Sequence, residues 1–403
     1  MNEMGLPSKT LAAAALFALL AGHVNLRAPA QTRVQGTEET SAPLLLGQSL
    51  PLSGPSGRLG QAYLSGAQAW FSEINRRGGI HGRRIRLISL DDQYEPDQTL
   101  RNTRQLLDQK QVLKLCPTCE PAIALFGYVG TPTTKVVLPM IQSRGVPLVA
   151  PMTGASLLRQ PSQQMVFNLR ASYRMEIDAI VNNLVRDARH RIAIVYQNDA
   201  FGEDGLNATL DALKSHDLQP VTITTVERNS DRVEKAVADL MKASPAPNGV
   251  VIISAYVSSA ALSRDLLNRG LKAQLMNVSF VGTKALQDAM PVGQSNGIGV
   301  AQVVPFPWNR WIPVVAEYQR LMRLNTPNPS FSFASLEGFL AAQLMSEGLQ
   351  RAGTNPSRER LLQALESIRG IDLGGFRMDL SEQDHQASDF VELTFLGSQR
   401  WEP

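Results

Sequence analysis

Leu44-Leu45-Leu46-Gly47-Gln48-Ser49-Leu50-Pro51-Leu52-Ser53-Gly54-Pro55-Ser56-Gly57-Arg58-Leu59-Gly60 is the stretch on which the fold turns. An apolar run of strand length stops at proline, passes through small residues and glycines, and enters a new pattern. There Tyr63, Ala67, Trp70, Phe71 and Ile74 recur at helical spacing, so an amphipathic helix follows the strand. Gly78-Gly79 ends that helix. A second apolar strand, Ile85–Leu90, and a helix marked by Leu100, Leu106 and Leu107 come next. Ala122–Tyr128 and Val146–Ala150 are further short apolar runs with a helix between them. Continuous apolar strands alternating with helices imply a parallel sheet covered on both faces.

The pattern then begins again. Arg191–Tyr196, Val221–Val226, Val250–Ile253 and Met276–Val281 read as strands. Helices are expected near Glu203–His216, Arg232–Ala243 and Ser259–Arg269. Phe306–Pro313 is irregular, two helices follow near Val314–Leu324 and Leu336–Ala352, and a third begins near Ser357. The tail, Gly374–Leu396, reads as short strands. The fold class is therefore α/β, with two doubly wound parallel-sheet lobes.

The chain has 403 residues, 43% hydrophobic and 19% charged, and a net charge of +3. That balance, without a basic run, gives no case for nucleic acid. Near the start, Lys9 precedes the apolar run Leu11–Ala21, too short to span a bilayer. It suits the core of a secretory signal peptide, with Ala28-Pro29-Ala30 as the cleavage candidate; an uncleaved membrane anchor is the other reading. Residues 1–30 are expected to be the signal and 31–42 a flexible lead-in. No membrane insertion of the mature chain is expected, since no later segment is long and apolar enough.

The two cysteines, Cys116 and Cys119, lie far from the export signal, which rules out a lipid anchor on an N-terminal cysteine. A free mature protein then needs an outer wall, so the expected location is the periplasm. In that oxidising space Cys116 and Cys119 are a candidate structural disulfide, with a free or redox-active pair as the alternative. No second cysteine pair exists to complete a metal site, and no metal or cofactor is expected.

Three constellations could carry chemistry. Ser53–Gly60 has glycines between strand and helix, and Asp91-Asp92 ends the second strand, as in a dinucleotide site. The spacing is G-x-x-G-x-x-G rather than G-x-G-x-x-G, however, and an exported protein meets little dinucleotide. The other reading is a tight turn that lets the backbone approach a ligand. In Gly127–Thr134, Thr131 suits an N-cap and Pro132 the first helical position. The free amides and threonine hydroxyls would then face the sheet end and attract a carboxylate or another acceptor. A well-capped helix and nothing more is the alternative. Pro151–Ser156 repeats the arrangement, and ligands of open α/β sheets bind beyond the carboxyl ends of the strands. Phe201 and Tyr256 sit at matching strand ends of the second lobe, as packing or as cleft walls. The five histidines read as solvated surface residues, and neither H-E-x-x-H nor G-x-S-x-G occurs, so an enzyme is not expected.

Leu50–Pro55, Gly60, Gly66-Ala67, Ile74–Gly82, Asp91-Asp92, Gly145–Pro151, Arg191–Val195 and Phe201-Gly202 together resemble the leucine/isoleucine/valine-binding protein family. These are the periplasmic solute-binding proteins of ABC importers with the type I fold. The likeness runs from about Pro43 almost to the end. It implies two lobes joined by three crossovers, near Asn168, Val303 and Phe376, that close on ligand by a hinge. The implied N-terminal lobe is 43–168 with 304–376, and the C-terminal lobe is 169–303 with 377–403. Carried over position by position, the ligand-binding residues are Leu59, Thr131, Thr133, Thr153, Phe201, Tyr256 and Ser279. The family's ammonium-binding acid falls near Ser279, yet Asn277–Gly282 holds no carboxylate. The implied ligand is thus a small organic molecule, whether amino acid, amide or carboxylate-like. The implied partners are the membrane subunits of an ABC importer; a sensor handing its closed state to a membrane receptor is the alternative. Mass measurement of the exported protein is expected to place its first residue near Gln31; an intact Met1 would identify an uncleaved anchor instead.

Overall fold

The computed structural model describes residues 42–397, so the expected signal and nearly all of the lead-in lie outside the described residues. The first stretch runs β1 (Leu44–Leu50), α1 (Gly57–Arg76), β2 (Ile85–Asp91), α2 (Pro96–Leu107), α3 (Gln109–Leu115), β3 (Ala124–Phe126), α4 (Thr131–Lys135), α5 (Leu138–Ser143), β4 (Leu148–Val149) and β5 (Val166–Phe167). The second runs α6 (Tyr173–Arg186), β6 (Ile192–Gln197), α7 (Ala200–Lys214), β7 (Thr222–Val226), α8 (Glu234–Lys242), β8 (Gly249–Ile253), α9 (Tyr256–Asn268), β9 (Gln274–Asn277), α10 (Thr283–Ala289) and β10 (Gly299–Gln302). The chain finishes with α11 (Pro313–Asn325), α12 (Phe333–Arg351), α13 (Arg358–Glu366), β11 (Ile371–Asp372), β12 (Arg377–Met378) and β13 (Glu392–Phe395).

These strands form two main sheets. One has the order β2-β1-β3-β4-β5 and is parallel throughout. The other has the order β13-β10-β9-β8-β6-β7, parallel except where β13 runs against β10. β1 and β8 are buried along their whole length, as apolar strands covered on both faces must be. The α/β pattern read from the sequence is present. β3 and β4 are shorter than the apolar runs that contain them, and the strand expected at Met276–Val281 stops at Asn277, with Ser279–Val281 forming a 3₁₀ turn. The Ser279 amide leaves the sheet because the Glu176 carboxylate accepts its hydrogen at 2.6 Å.

Three connections pass between the sheets. The first is Asn168–Ser172, between β5 and α6; the second follows β10, and the third lies between β12 and β13. The first and third run side by side, with the Asn168 amide donating to the His385 carbonyl and the Ala387 amide to the Asn168 carbonyl, both at 2.7 Å. His385 is not a solvated surface histidine: its ring stacks 4.1 Å from Phe167 and its side chain is 12% exposed.

The last segment returns to the first sheet through α12. Its N-terminus carries a reciprocal cap between Ser332 and Ser335, and most of its side chains are buried. α12 lies on α1 at backbone contact. A Cβ added at Gly66 would stand 1.7 Å from the Ser335 carbonyl oxygen, and one at Gly338 would stand 2.0 Å from that of Tyr63. Each helix thus presents a glycine to the other's main chain, and Trp70 packs edge-on against Phe339 beside the contact. Gly66→Ala should therefore destabilise the protein by about 1–3 kcal/mol, as overpacked sites do. Gly57→Ala on the same helix, where the added carbon would find nothing closer than 3.4 Å, should have much less effect. Denaturant midpoints test this; equal effects would show that α1 and α12 yield freely.

Candidate functional site

The carboxyl ends of the two sheets face each other. Interlobe hydrogen bonds close the outer rim. Ser56 donates to Asn229 at 2.8 Å, Asn229 to the Gln93 carbonyl at 3.1 Å, Arg228 to Glu95 at 3.0 Å, and the Ser156 amide to Asp204 at 3.1 Å.

Behind this rim the gap is filled by rings. Tyr94 lies 5.7 Å from Phe280, Phe280 lies 4.8 Å from Phe201, and Phe201 lies 5.1 Å from Tyr173, all fully buried. Tyr94 reaches this position from a turn in which Gln93 and Tyr94 both have left-handed backbones, at φ of 53° and 62°. Such residues each cost about 1 kcal/mol or more, so something must hold them. Asp91 accepts from the Gln93 amide at 3.0 Å, and Asp92 from the Tyr94 amide at 2.9 Å. Asp91 also takes the Leu52 amide of the glycine loop, and Asp92 takes the hydroxyls of Ser49 and Thr99. The acids that could have met a ribose are thus committed to the turn that presents Tyr94. Burial lifts the Asp92 carboxyl to about 6 against those hydrogen bonds.

The threonine loop differs from expectation. Gly130, not Thr131, caps α4, and Pro132 sits second in the helix. Thr133 and Thr134 turn their hydroxyls back onto carbonyls of Val129 and Gly130, the local bond that competes for such side chains near a helix start. Thr131 and Thr153 do meet, hydroxyl to hydroxyl, at 2.7 Å. Of the other expected site residues, Phe201 joins the ring chain, and Leu59 packs across onto Gly282. Tyr256 starts α9, 6% exposed, with its hydroxyl at the Arg58 amide. Ser279 lies on a buried charge cluster. Cys116 and Cys119 are joined as a disulfide away from the cleft, on the outer side of β3.

That cluster escaped the sequence reading. Arg170, on the first connection and 1% exposed, donates from Nη2 to the Ser279 hydroxyl at 2.7 Å and to Glu337 of α12 at 3.1 Å. Its Nε is also 3.0 Å from Glu337. Glu176 of α6 accepts both the amide and the hydroxyl of Ser279. A carboxylate therefore does stand at Ser279, supplied from another helix. Burial works against the Arg170 charge, but Glu337 and Glu176 outweigh it and raise its pKa. Burial pushes Glu176 up to about 7 despite Arg170 and Ser279, and raises Glu337 despite Arg170. Buried polar atoms that lack a hydrogen-bond partner among the described residues include Arg170 Nη1, the side-chain Oε1 of Gln197, and the Tyr173 hydroxyl, which lies beside Thr153 without an aligned bond.

A cavity of about 400 Å³ is lined in part by Gly282, two residues beyond Phe280. Arg58 and Leu59 of α1 form one side, Thr283, Lys284 and Asp288 of α10 the opposite side, and Phe333 of α12 the back. Both lobes thus contribute walls. Among the described residues no group of three or more His, Cys, Asp or Glu side chains is placed to hold a metal, and no helix is long and apolar enough to cross a membrane.

Two facing sheet ends, with a cavity lined from both lobes, define a two-lobed binding protein. The periplasmic binding protein family matches residues 43–394, and the chain belongs to it, with the type I fold of its leucine/isoleucine/valine-binding members. The solved structure of a possible leucine/isoleucine/valine-binding protein from Rhodopirellula baltica is 32% identical, covers 90% of this chain and 96% of that one, and superposes with a TM-score of 0.84. A substrate-binding periplasmic protein from Ralstonia solanacearum is 31% identical over 88% of this chain and 98% of that one, with a TM-score of 0.81. Leu/Ile/Val-binding protein homolog 3 of Brucella melitensis is 22% identical over 359 residues, 87% of this chain and 91% of that protein.

The charge cluster has a pH signature. Glu176 holds its proton more tightly folded than unfolded, its pKa rising from an ordinary 4.5 to about 7. Its contribution to stability is fully present below 4.5 and is lost as pH rises through about 7. Glu176→Gln is therefore expected to flatten the fall in denaturation midpoint between about pH 5 and about pH 7.5, leaving a smaller slope from Asp92. An unchanged slope would show that Glu176 stays ionised throughout.

Proposed function

We propose that this protein is an exported solute-binding protein of an ABC importer, working in the periplasm and capturing a small organic molecule between its lobes. The observation that carries this reading is the cavity walled by both lobes; buried polar atoms of Arg170, Gln197 and Tyr173 elsewhere at the junction of the lobes also lack partners. A buried polar atom without a partner is unfavourable by about 1–3 kcal/mol, and a polar ligand relieves it. A ligand that touches both walls favours the closed arrangement by its differential affinity, and the importer's membrane subunits read that shape. Family membership supports the same role, since the related proteins are named for binding small molecules.

Of the residues expected to contact ligand, Leu59 lines the cavity, whereas Thr131, Thr153, Phe201, Tyr256 and Ser279 lie outside its lining. Thr133 contributes through the backbone turn it holds rather than through its hydroxyl. The direct test is mass spectrometry of small molecules released from the purified protein, followed by thermal-shift measurement with the released compound. Ligand at about 100 times its Kd should add about 2.7 kcal/mol of stability. Tyr256→Ala should melt lower without ligand, because the ring is buried, and should lose the ligand-induced increment. An increment of wild-type size in that variant would move the site elsewhere, and a protein that releases and binds nothing would remove the reading.

A further inference from the structure

The chemistry of the cavity narrows the ligand, given the reading above that the cleft takes a small organic molecule. The cavity lining combines a charged group, Arg58, Lys284 and Asp288, with apolar side chains such as Leu59, Met322 and Phe333. Lys284 Nζ sits 2.8 Å from each oxygen of Asp288, one turn along α10. From the opposite lobe, Arg58 Nη1 approaches the same carboxylate to 3.7 Å, beyond hydrogen-bond distance. Two cations thus share one anion, and this group carries one net positive charge. Arg58, with a side chain 56% exposed, keeps its planar fork of donors for another acceptor, and such a fork matches a carboxylate. Leu59, next to Arg58, and Phe333 of α12 supply apolar wall.

A second observation concerns the amino group. Asp288 is the only carboxylate lining this cavity among the described residues, and Lys284 already bridges both its oxygens. Glu176 and Glu337, the acids nearest Ser279, face Arg170 and are fully buried. An ammonium beside the ligand's carboxylate would meet Arg58 and Lys284 with no anion left to it, a like-charge arrangement that disfavours binding.

We propose that the cavity takes a monocarboxylic acid with an apolar body and no amino group beside the carboxylate. The carboxylate lies on Arg58, at the edge of the Lys284–Asp288 pair, and the body lies against Leu59 and Phe333. A volume of about 400 Å³ suits such a molecule.

Isothermal titration of the mature protein with pairs of equal carbon skeleton tests this: 4-methylpentanoate against leucine, and 3-phenylpropanoate against phenylalanine. At least one acid should bind, at least about tenfold tighter than its amino acid. Arg58→Gln should weaken that acid by a further factor of about ten while leaving the unliganded melt unchanged. Leucine or phenylalanine binding as tightly as its deaminated partner overturns the proposal, as does acid binding that is indifferent to Arg58→Gln. If all four probes fail while a compound released from the native protein binds, the ligand class is wrong but the binding function stands. If the released fraction also holds nothing that binds, the function itself falls.

Discussion

Everything at the junction of the lobes depends on keeping the Arg170 guanidinium charged where almost no water reaches. An isolated ion there would be disfavoured by several kcal/mol, so its partners must be in place. They come from separate parts of the chain: Glu337 from α12, Ser279 from the turn after β9, and Glu176 from the first turn of α6. Arg170 itself is on the first connection between the sheets. The cluster therefore demands that both lobes and a hinge strand meet in one geometry. Any opening of the cleft that separates Ser279 from Arg170 must let water in to replace it.

Around that point the structure divides its tasks. The lobes are rigid where they need to be: α1 and α12 touch main chain to main chain at two glycines, which leaves little room to slide. The cleft is different. Its floor is a chain of four rings, held partly by a turn of two left-handed residues that Asp91 and Asp92 stabilise. Aromatic rings pack without directional bonds, so they can part and re-form, whereas the hydrogen-bonded lobes move as units. In the proposed role this combination would let closure respond to a ligand without deforming the sheets.

Much of the architecture was legible in the chain. Uninterrupted runs such as Val250–Ile253 and the heptad-like spacing of Tyr63, Ala67, Phe71 and Ile74 report burial, and burial repeats with the period of the local structure. The cleft was legible only as a location. Leu59, Phe201 and Tyr256 were readable as strand-end residues, but what they touch was not. Glu176 reaches Ser279 across 103 positions and Glu337 reaches Arg170 across 167, and no periodicity encodes such separations. Tyr94 was hidden for another reason: a bulky residue with positive φ contradicts ordinary preference, and only the acids before it explain how the turn survives. The threonines after Gly130 misled because their hydroxyls have two uses, capping forward or bonding backward, and sequence alone does not choose between them.

The last strand carries a consequence of its own. β13 runs antiparallel along β10 and forms one margin of the second sheet, yet it lies after the helices that complete the first. Until those final residues arrive, β10 presents a bare row of amides and carbonyls, which invites pairing with foreign chains. The lobe formed mostly from the middle of the polypeptide is thus the last to be sealed. A chain still on the ribosome cannot finish it early, and the second sheet stays open at that margin until this late segment is free to pair.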